Sequence, residues 1–279
     1  MKLNEMKEVL FREGIRLTKS LGQNFLHDQN QLRRIVAAAE LSADDFVLEV
    51  GPGLGPLTEV IRESGATVQA VELDGRLAAI LRRQWPETEK FQLIEADALA
   101  LAREGSRIPS ALPPGWKLVS NLPYSVASPL LVELALAENR PERMVTTLQL
   151  EVADRIMART DERNYGVLTL LLQLSYEPVS SFRIPAACFF PEPEIDSACI
   201  VLKRRPTPLL PAGSEKIFRR VVKTAFSQRR KMMVKLLKQE WPAPLLLGAL
   251  EKLGIAPQAR AEDVSLEQFV ALTRALSNP

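Results

Sequence analysis

A short apolar run that breaks into glycines and then into helical spacing constrains this chain more than any other feature. Phe46 to Val50 is a strand candidate, Gly51-Pro52-Gly53-Leu54-Gly55 follows without a spacer, and apolar residues then recur three or four apart from Leu57 to Glu63. Glycines let a backbone turn tightly and approach a ligand with no side chain between, so this is the strand, turn and helix of a nucleotide-binding crossover. The alternation continues downstream. Thr67 to Val71, Phe91 to Ile94, Lys117 to Ser120 and Met144 to Leu150 read as strands, and Gly75 to Gln84 has helical spacing. This predicts an α/β domain with a mainly parallel sheet and helices on both faces. Pro178 to Ile184 and Ser197 to Leu202 are joined by too few residues for a crossover helix, so an antiparallel pair should close one edge.

With 279 residues, 46% of them hydrophobic, the chain can bury a core large enough for one large domain and one small one. Pro206, Pro208 and Pro211 interrupt regular structure between Arg204 and Gly213. Beyond them, Ile217/Phe218, Val221/Val222, Ala225/Phe226, Met232/Met233 and Leu236/Leu237 recur at helical spacing. The expected division is an α/β domain over residues 1–205 and a small all-helical domain over 206–279. The net charge of +2 conceals a polarised chain: Lys203 to Lys238 holds twelve basic residues and one acid, Glu215, which leaves the remainder at −9. Such a block predicts a phosphate-binding face. Arg229, Arg230 and Lys231 interrupt the apolar rhythm between Phe226 and Met232 and are its candidate RNA contacts.

Other classes are disfavoured. Two cysteines, Cys188 and Cys199, and one histidine, His27, cannot assemble a soft-metal ligand cluster, and two buried thiols in a reducing compartment are expected. No apolar stretch is long enough to span a bilayer, and Lys2, Lys7, Arg12, Arg16 and Lys19 break up the N-terminal region where a signal peptide needs an apolar core. The expectation is a cytoplasmic protein without a metal.

Glu72 ends the second strand 21 residues after Gly51, where a carboxylate can accept hydrogen bonds from ribose hydroxyls. A dinucleotide fingerprint would need its third glycine at Pro56, for close packing and a free amide, and proline supplies neither. Gly-Pro-Gly-Leu-Gly preceded by Glu49 instead resembles the first motif of class I methyltransferases, whose loop holds the methionine part of S-adenosylmethionine. Asp97, after the third strand, is similar to the residue those enzymes place against the adenine amine; a helix cap is the competing reading.

Asn121-Leu122-Pro123-Tyr124 ends the fourth strand, at the sheet edge where open α/β folds bind ligands. An adenine exocyclic amine is a poor nucleophile because its lone pair is delocalised into the ring. The Asn121 side-chain oxygen and a backbone carbonyl in the turn, that of Leu122, could accept its two N–H groups and concentrate negative potential on nitrogen, with Pro123 fixing the carbonyl's direction. Tyr124 can stack on a base drawn out of its helix or loop.

Taken together, the chain resembles the bacterial small-subunit ribosomal RNA adenine dimethyltransferases. Lys19-Ser20-Leu21-Gly22-Gln23-Asn24-Phe25-Leu26 is similar to that family's N-terminal signature, which implies Asn24 and Leu26 over the cofactor. Gly51, Glu72, Asp97 and Asn121 match its other cofactor contacts. Phe189, in Phe189-Phe190-Pro191-Glu192-Pro193-Glu194-Ile195-Asp196-Ser197-Ala198, matches its second base-stacking aromatic. Thr224 to Lys231 and Arg260 to Ser265 resemble its helical C-terminal domain. The resemblance implies a Rossmann-like class I fold, S-adenosylmethionine as cofactor, a monomer, and dimethylation of two adjacent adenines near the 3′ end of small-subunit (16S) rRNA within an assembling subunit. Glu194 departs from the family, which often has a basic residue there. The rival readings are a large-subunit rRNA dimethyltransferase of the macrolide-resistance type, which shares the Asn-x-Pro-Tyr turn, and a non-catalytic assembly factor.

Overall fold

The structure, a computed structural model, describes residues 1–15, 17, 23–104, 108, 111–228 and 230–277. Lys19 to Gly22 of the N-terminal signature and Arg229 of the basic block lie outside the described residues. The chain forms two compact units, Met1–Ala153 with Pro178–Arg204, and Asp154–Glu177 with Arg205–Pro279.

In the first unit a strand-helix rhythm runs from β2 (Phe46–Val50) through α3 (Pro56–Glu63), β3 (Thr67–Glu72), α4 (Gly75–Gln84), β4 (Phe91–Glu95), α5 (Ala98–Glu104), β5 (Lys117–Asn121), α6 (Ala127–Leu136) and β6 (Arg143–Gln149). It is preceded by α1 (Leu3–Arg12), β1 (Phe25–Leu26) and α2 (Gln29–Ala38), and β7 (Tyr176–Ile184), β8 (Phe189–Phe190) and β9 (Ser197–Arg204) complete the strands. The seven-stranded sheet has the order β4-β3-β2-β5-β6-β9-β7. Parallel pairing joins the first five of these, and β9 runs antiparallel to β6, from Arg143 opposite Lys203 to Gln149 opposite Ser197. The two late strands are neighbours at one edge, as their short connection implies. Central strands are covered on both faces, which is why Val47, Leu48, Leu118, Val119, Met144 and Val145 are all buried in near-continuous apolar runs.

Local signals start the helices. Asp28 accepts the Gln31 N–H at 2.9 Å and Asp74 the Arg76 N–H at 3.0 Å, N-caps worth about 1 kcal/mol each. At the end of the sheet away from the strand C-termini, Lys117 Nζ donates to the Glu40 carbonyl at 2.7 Å and pairs with Asp45 at 3.0 Å. Beside it Arg143 donates to the Ala38 carbonyl at 3.0 Å, so one cation satisfies the last carbonyl of α2 and the other a carbonyl just past its end. A separate two-stranded ladder pairs Phe25 with Phe190 and Leu26 with Phe189. Met6 and Leu10 of α1 pack with Phe25, Leu54, Leu77 and Ile80.

The second unit contains the later part of α7 (Leu150–Met157), then α8 (Val167–Gln173), α9 (Glu215–Ala225), α10 (Met233–Leu237), α11 (Ala243–Lys252) and α12 (Leu266–Ser277). Its C-terminal segment begins at Arg205, within one residue of the expected division, but Asp154–Glu177, expected in the α/β domain, belongs with the C-terminal helices. Tyr165 meets Phe226 edge-on with ring centroids 6.3 Å apart, and Phe226 in turn packs on Phe269 at 6.0 Å. The Tyr165 hydroxyl donates to the Val264 carbonyl at 2.9 Å, and Arg205 Nε donates to the Gln173 carbonyl at 2.9 Å. A segment as apolar as α8, with Thr169 to Leu172 all buried, needs partners on most of its circumference.

The basic block divides within this unit. Arg220 is ion-paired with Glu240 and lies over the Trp241 ring, whereas Lys216, Lys223, Arg230, Lys231, Lys235 and Lys238 are exposed. Arg230 and Lys231 sit between α9 and α10 rather than on a helix. The helical spacing between Phe226 and Met233, seven residues apart, is therefore not carried by a continuous helix: α9 ends at Ala225 and α10 begins at Met233. Of the two thiols expected to be buried, Cys199 is buried and Cys188 is only half-buried.

Candidate active site

The strand order reverses between β2 and β5, and open α/β sheets bind ligands in the crevice outside strand C-termini at such a switch point. A pocket of the first unit lies there. It is lined by Gln23 to Leu26, Glu49 to Gly53, Val71 to Leu73, Ala96 to Leu99 and Asn121 to Val126, with Leu32, Pro56, Leu57 and Leu77. The structure thus brings together Asn24, Leu26, Gly51, Glu72, Asp97, Asn121, Leu122, Pro123 and Tyr124, drawn from five separate stretches of sequence.

The glycine loop has no room for side chains. Gly53 has φ +63°, and a β-carbon there would stand 2.5 Å from the Phe25 ring. One on Gly51, at φ +68°, would stand 3.1 Å from the Pro123 ring, so the loop and the Asn121–Tyr124 turn are packed against each other. Pro56 occupies the first position of α3, where its missing N–H costs nothing.

Three carboxylates face this pocket. Glu72 accepts the Gly53 N–H at 3.0 Å and the Asp74 N–H at 2.9 Å, and burial pushes its pKa up. Glu49 is fully buried with the Thr58 hydroxyl donating to it at 2.6 Å; burial, with Glu72 nearby as a second cause, raises it to about 8. Asp97 is exposed and caps α5 by accepting the Leu99 N–H at 2.8 Å, so the helix-cap reading holds while the residue also lines the pocket. Among the described lining residues there is no Lys, Arg or His. Among the described residues, a lining with two carboxylates, Glu72 and Asp97, a third acid, Glu49, that burial keeps protonated at neutral pH, and no cation suits a positively charged ligand and disfavours a pyrophosphate. S-adenosylmethionine, with a sulfonium and an ammonium against one carboxylate, fits this donor set.

Glu49 carries a pH signature. Its folded-state pKa of about 8 lies above the usual 4.5, so between these values the folded chain holds a proton that the unfolded chain has lost. The corresponding stability is complete below the lower value and is lost as pH rises through the upper one. Glu49→Gln keeps the neutral form at every pH and is expected to lose less stability than the parent between about pH 5 and about pH 9. Denaturant midpoints of the two proteins across that range check this, and parallel pH profiles would count against it.

Asn121 is oriented by the chain itself. Its Nδ2 donates to the Asn24 carbonyl at 2.9 Å, and because a carbonyl only accepts, the amide cannot be turned the other way. Its oxygen is therefore the atom left for a ligand. In the adjoining turn the Pro123 carbonyl accepts from Val126 and Ala127, both at 3.1 Å, and the Leu122 N–H donates to Thr147. Among the described residues no backbone N–H takes the Leu122 carbonyl. Gln23 Nε2 donates to Asp74 Oδ2 at 3.1 Å, tying the segment before β1 to the end of β3. The Arg76 guanidinium is the main cause that holds Asp74 down at about 2.

Phe189 does not follow its expected placement. It is 2% exposed, lies within the core cluster beside Leu26, Leu32 and Cys199, and does not line the pocket. The β1–β8 ladder puts it opposite Leu26, on a buried surface, so a sandwich of Tyr124 and Phe189 around a base is absent from this conformation. Sequence reasoning passed over Gln23, Phe25 and Leu73 as pocket residues. Leu73 left a signal: an apolar residue directly after the strand-ending acid, 54% exposed because it faces the pocket rather than the core.

A Rossmann-like sheet with an antiparallel edge and this glycine loop define the class I methyltransferase fold. The family described as Ribosomal RNA adenine dimethylase matches residues 14–278, and the chain belongs to it. A protein named Ribosomal RNA small subunit methyltransferase A from Geobacter metallireducens is 38% identical over 275 residues, covering 95% of this chain and 97% of its own. The protein of that name from Clostridium perfringens is 37% identical, covering 99% and 98%. Among solved structures, the 23S rRNA methyltransferase ErmE matches with a TM-score of 0.67 at 28% identity, over 91% of this chain and 100% of that one. A dimethyladenosine transferase from Plasmodium falciparum shares the fold with a TM-score of 0.74 at 22% identity, over 89% and 95%.

Proposed function

We propose that this chain uses S-adenosylmethionine to dimethylate the exocyclic amines of two adjacent adenines near the 3′ end of small-subunit rRNA, acting as a cytoplasmic monomer on assembling subunits. The observation that carries this is the acidic pocket, with no cation among its described residues, meeting an asparagine whose amide the Asn24 carbonyl turns. The family and the small-subunit relatives support the substrate.

When bound, S-adenosylmethionine supplies an electrophilic methyl group. Gly51, Glu72, Asp97, Asn24 and Leu26 would hold it. Asn121 Oδ1 and the Leu122 carbonyl accept the two N–H bonds of the adenine amine and localise its lone pair as attack begins. Tyr124 presents a flat surface to the extruded base, and Pro123 fixes the direction of the carbonyl before it. No tuned base is needed, because the ammonium-like product is acidic enough to give its proton to water. For the second transfer the monomethylated amine must rotate to offer its remaining N–H.

Purified protein is expected to transfer label from S-adenosylmethionine to immature small subunits and not to large-subunit RNA, with mass spectrometry placing the label on two neighbouring adenines. Label on large-subunit RNA would favour the macrolide-resistance activity, and label on neither would favour a non-catalytic assembly role.

Arg230 and Lys231, with Arg229, are proposed to bind rRNA phosphates. Reversing all three to glutamate is expected to weaken binding to immature small subunits and to shrink the slope of log affinity against log salt by about 0.7 to 0.9 for each phosphate no longer neutralised. Cofactor affinity should stay the same. Filter binding at several salt concentrations checks this, and a parent-like slope would mean that these side chains only solvate the turn.

A further inference from the structure

We infer that Ser197 is a positioning residue that sets the plane of the Tyr124 ring, and through it the plane of the extruded base; this rests on the adenine chemistry proposed above. The Tyr124 hydroxyl and Ser197 Oγ are 2.6 Å apart. Ser197 is the fixed partner. It is fully buried and opens β9, opposite Gln149 in the antiparallel ladder. Its neighbour Asp196 is anchored as well: the carboxylate accepts the Ala186 N–H at 2.8 Å and pairs with Arg183, and the carbonyl accepts the Leu150 N–H at 3.1 Å. Tyr124 is the placed partner, half-buried in the turn that follows β5.

Two observations make this bond consequential. Phe189 is enclosed in the core, and Phe25, the other aromatic lining the pocket, is buried against Gly53, so Tyr124 is the ring in the catalytic turn that a base can meet. A half-buried phenol that loses its partner must either remain unsatisfied or swing toward water, and either change tilts the stacking surface.

The test measures methyl transfer from labelled S-adenosylmethionine to immature small subunits by the full-length parent, Ser197→Ala, Tyr124→Phe, the double variant and Ser197→Thr, with cofactor affinity by calorimetry. Ser197→Ala and Tyr124→Phe should each lower kcat/KM for the RNA by about tenfold, the double variant should lose no more than either, and Ser197→Thr should recover most of the rate. Cofactor affinity should remain at the parent value throughout. If Ser197→Ala does not fold, Tyr124→Phe, which leaves the serine in place, must still show the loss. An active parent with either single variant at its rate, with losses that multiply, or with cofactor affinity falling in step overturns the inference alone. A parent that labels no RNA overturns the proposed function together with it.

Discussion

Asn121→Ala is expected to reduce single-turnover methyl transfer by about a hundredfold or more while most of the cofactor affinity survives. The size follows from what the side chain does. It holds a preorganised acceptor where the amine must give up its delocalised lone pair, and acceptors set before reaction need no reorganisation as charge develops. The bond from Asn121 Nδ2 to the Asn24 carbonyl disappears as well, which loosens one tie on the segment lining the cofactor pocket, so a modest fall in affinity accompanies the large fall in rate. Asn121→Asp sharpens the test. It keeps the shape and an acceptor oxygen but places a second acceptor against the Asn24 carbonyl, so its amide-like orientation is no longer enforced, and it too should be slow. Rapid-quench transfer with calorimetry in parallel separates the two effects, and near-parent transfer by Asn121→Ala would make the turn a structural one.

Glu72→Ala is expected to weaken S-adenosylmethionine binding by about 1.5 to 3 kcal/mol, roughly 10- to 150-fold, through the loss of charge-assisted hydrogen bonds. From its position at a strand end this carboxylate would be expected to face ligand alone, so that alanine spares the fold. The structure argues otherwise, because Glu72 is only 6% exposed and its two oxygens accept from Gly53 and Asp74. Alanine leaves both N–H groups without that partner, at about 1 to 3 kcal/mol for each that water does not reach, so the denaturant midpoint should fall too. Glu72→Gln removes the charge but keeps one acceptor, and it should lose affinity with a smaller loss of stability. Unchanged affinity in both variants would remove Glu72 from the cofactor site.

The α/β rhythm was readable residue by residue. Thr67 to Val71, Phe91 to Ile94 and Lys117 to Ser120 each fall one residue short of the strand observed, and Gly75 to Gln84 matches α4. Period and composition carry this information locally, since a strand buried on both faces needs an apolar run and a helix needs apolar residues three or four apart. The β1–β8 ladder was not readable, because two-residue strands have no period and exist only through a partner far away along the chain. The place of Asp154–Glu177 escaped for a related reason: Tyr165 finds Phe226 and Val264 only once the chain has folded back.

The sequence by itself determined the fold class, the glycine loop, the acid at the end of β3 and the asparagine turn at the end of β5, because each depends on neighbouring residues and on backbone rules that act over a few positions. Only the tertiary structure decided which of these side chains are free to meet a ligand. It buried Phe189 opposite Leu26, drew Glu72 into the glycine loop, turned the Asn121 amide against Asn24 and set Tyr124 on Ser197. The physical reason is that burial and hydrogen-bond partnership are properties of pairs distant in sequence, and no local pattern encodes them.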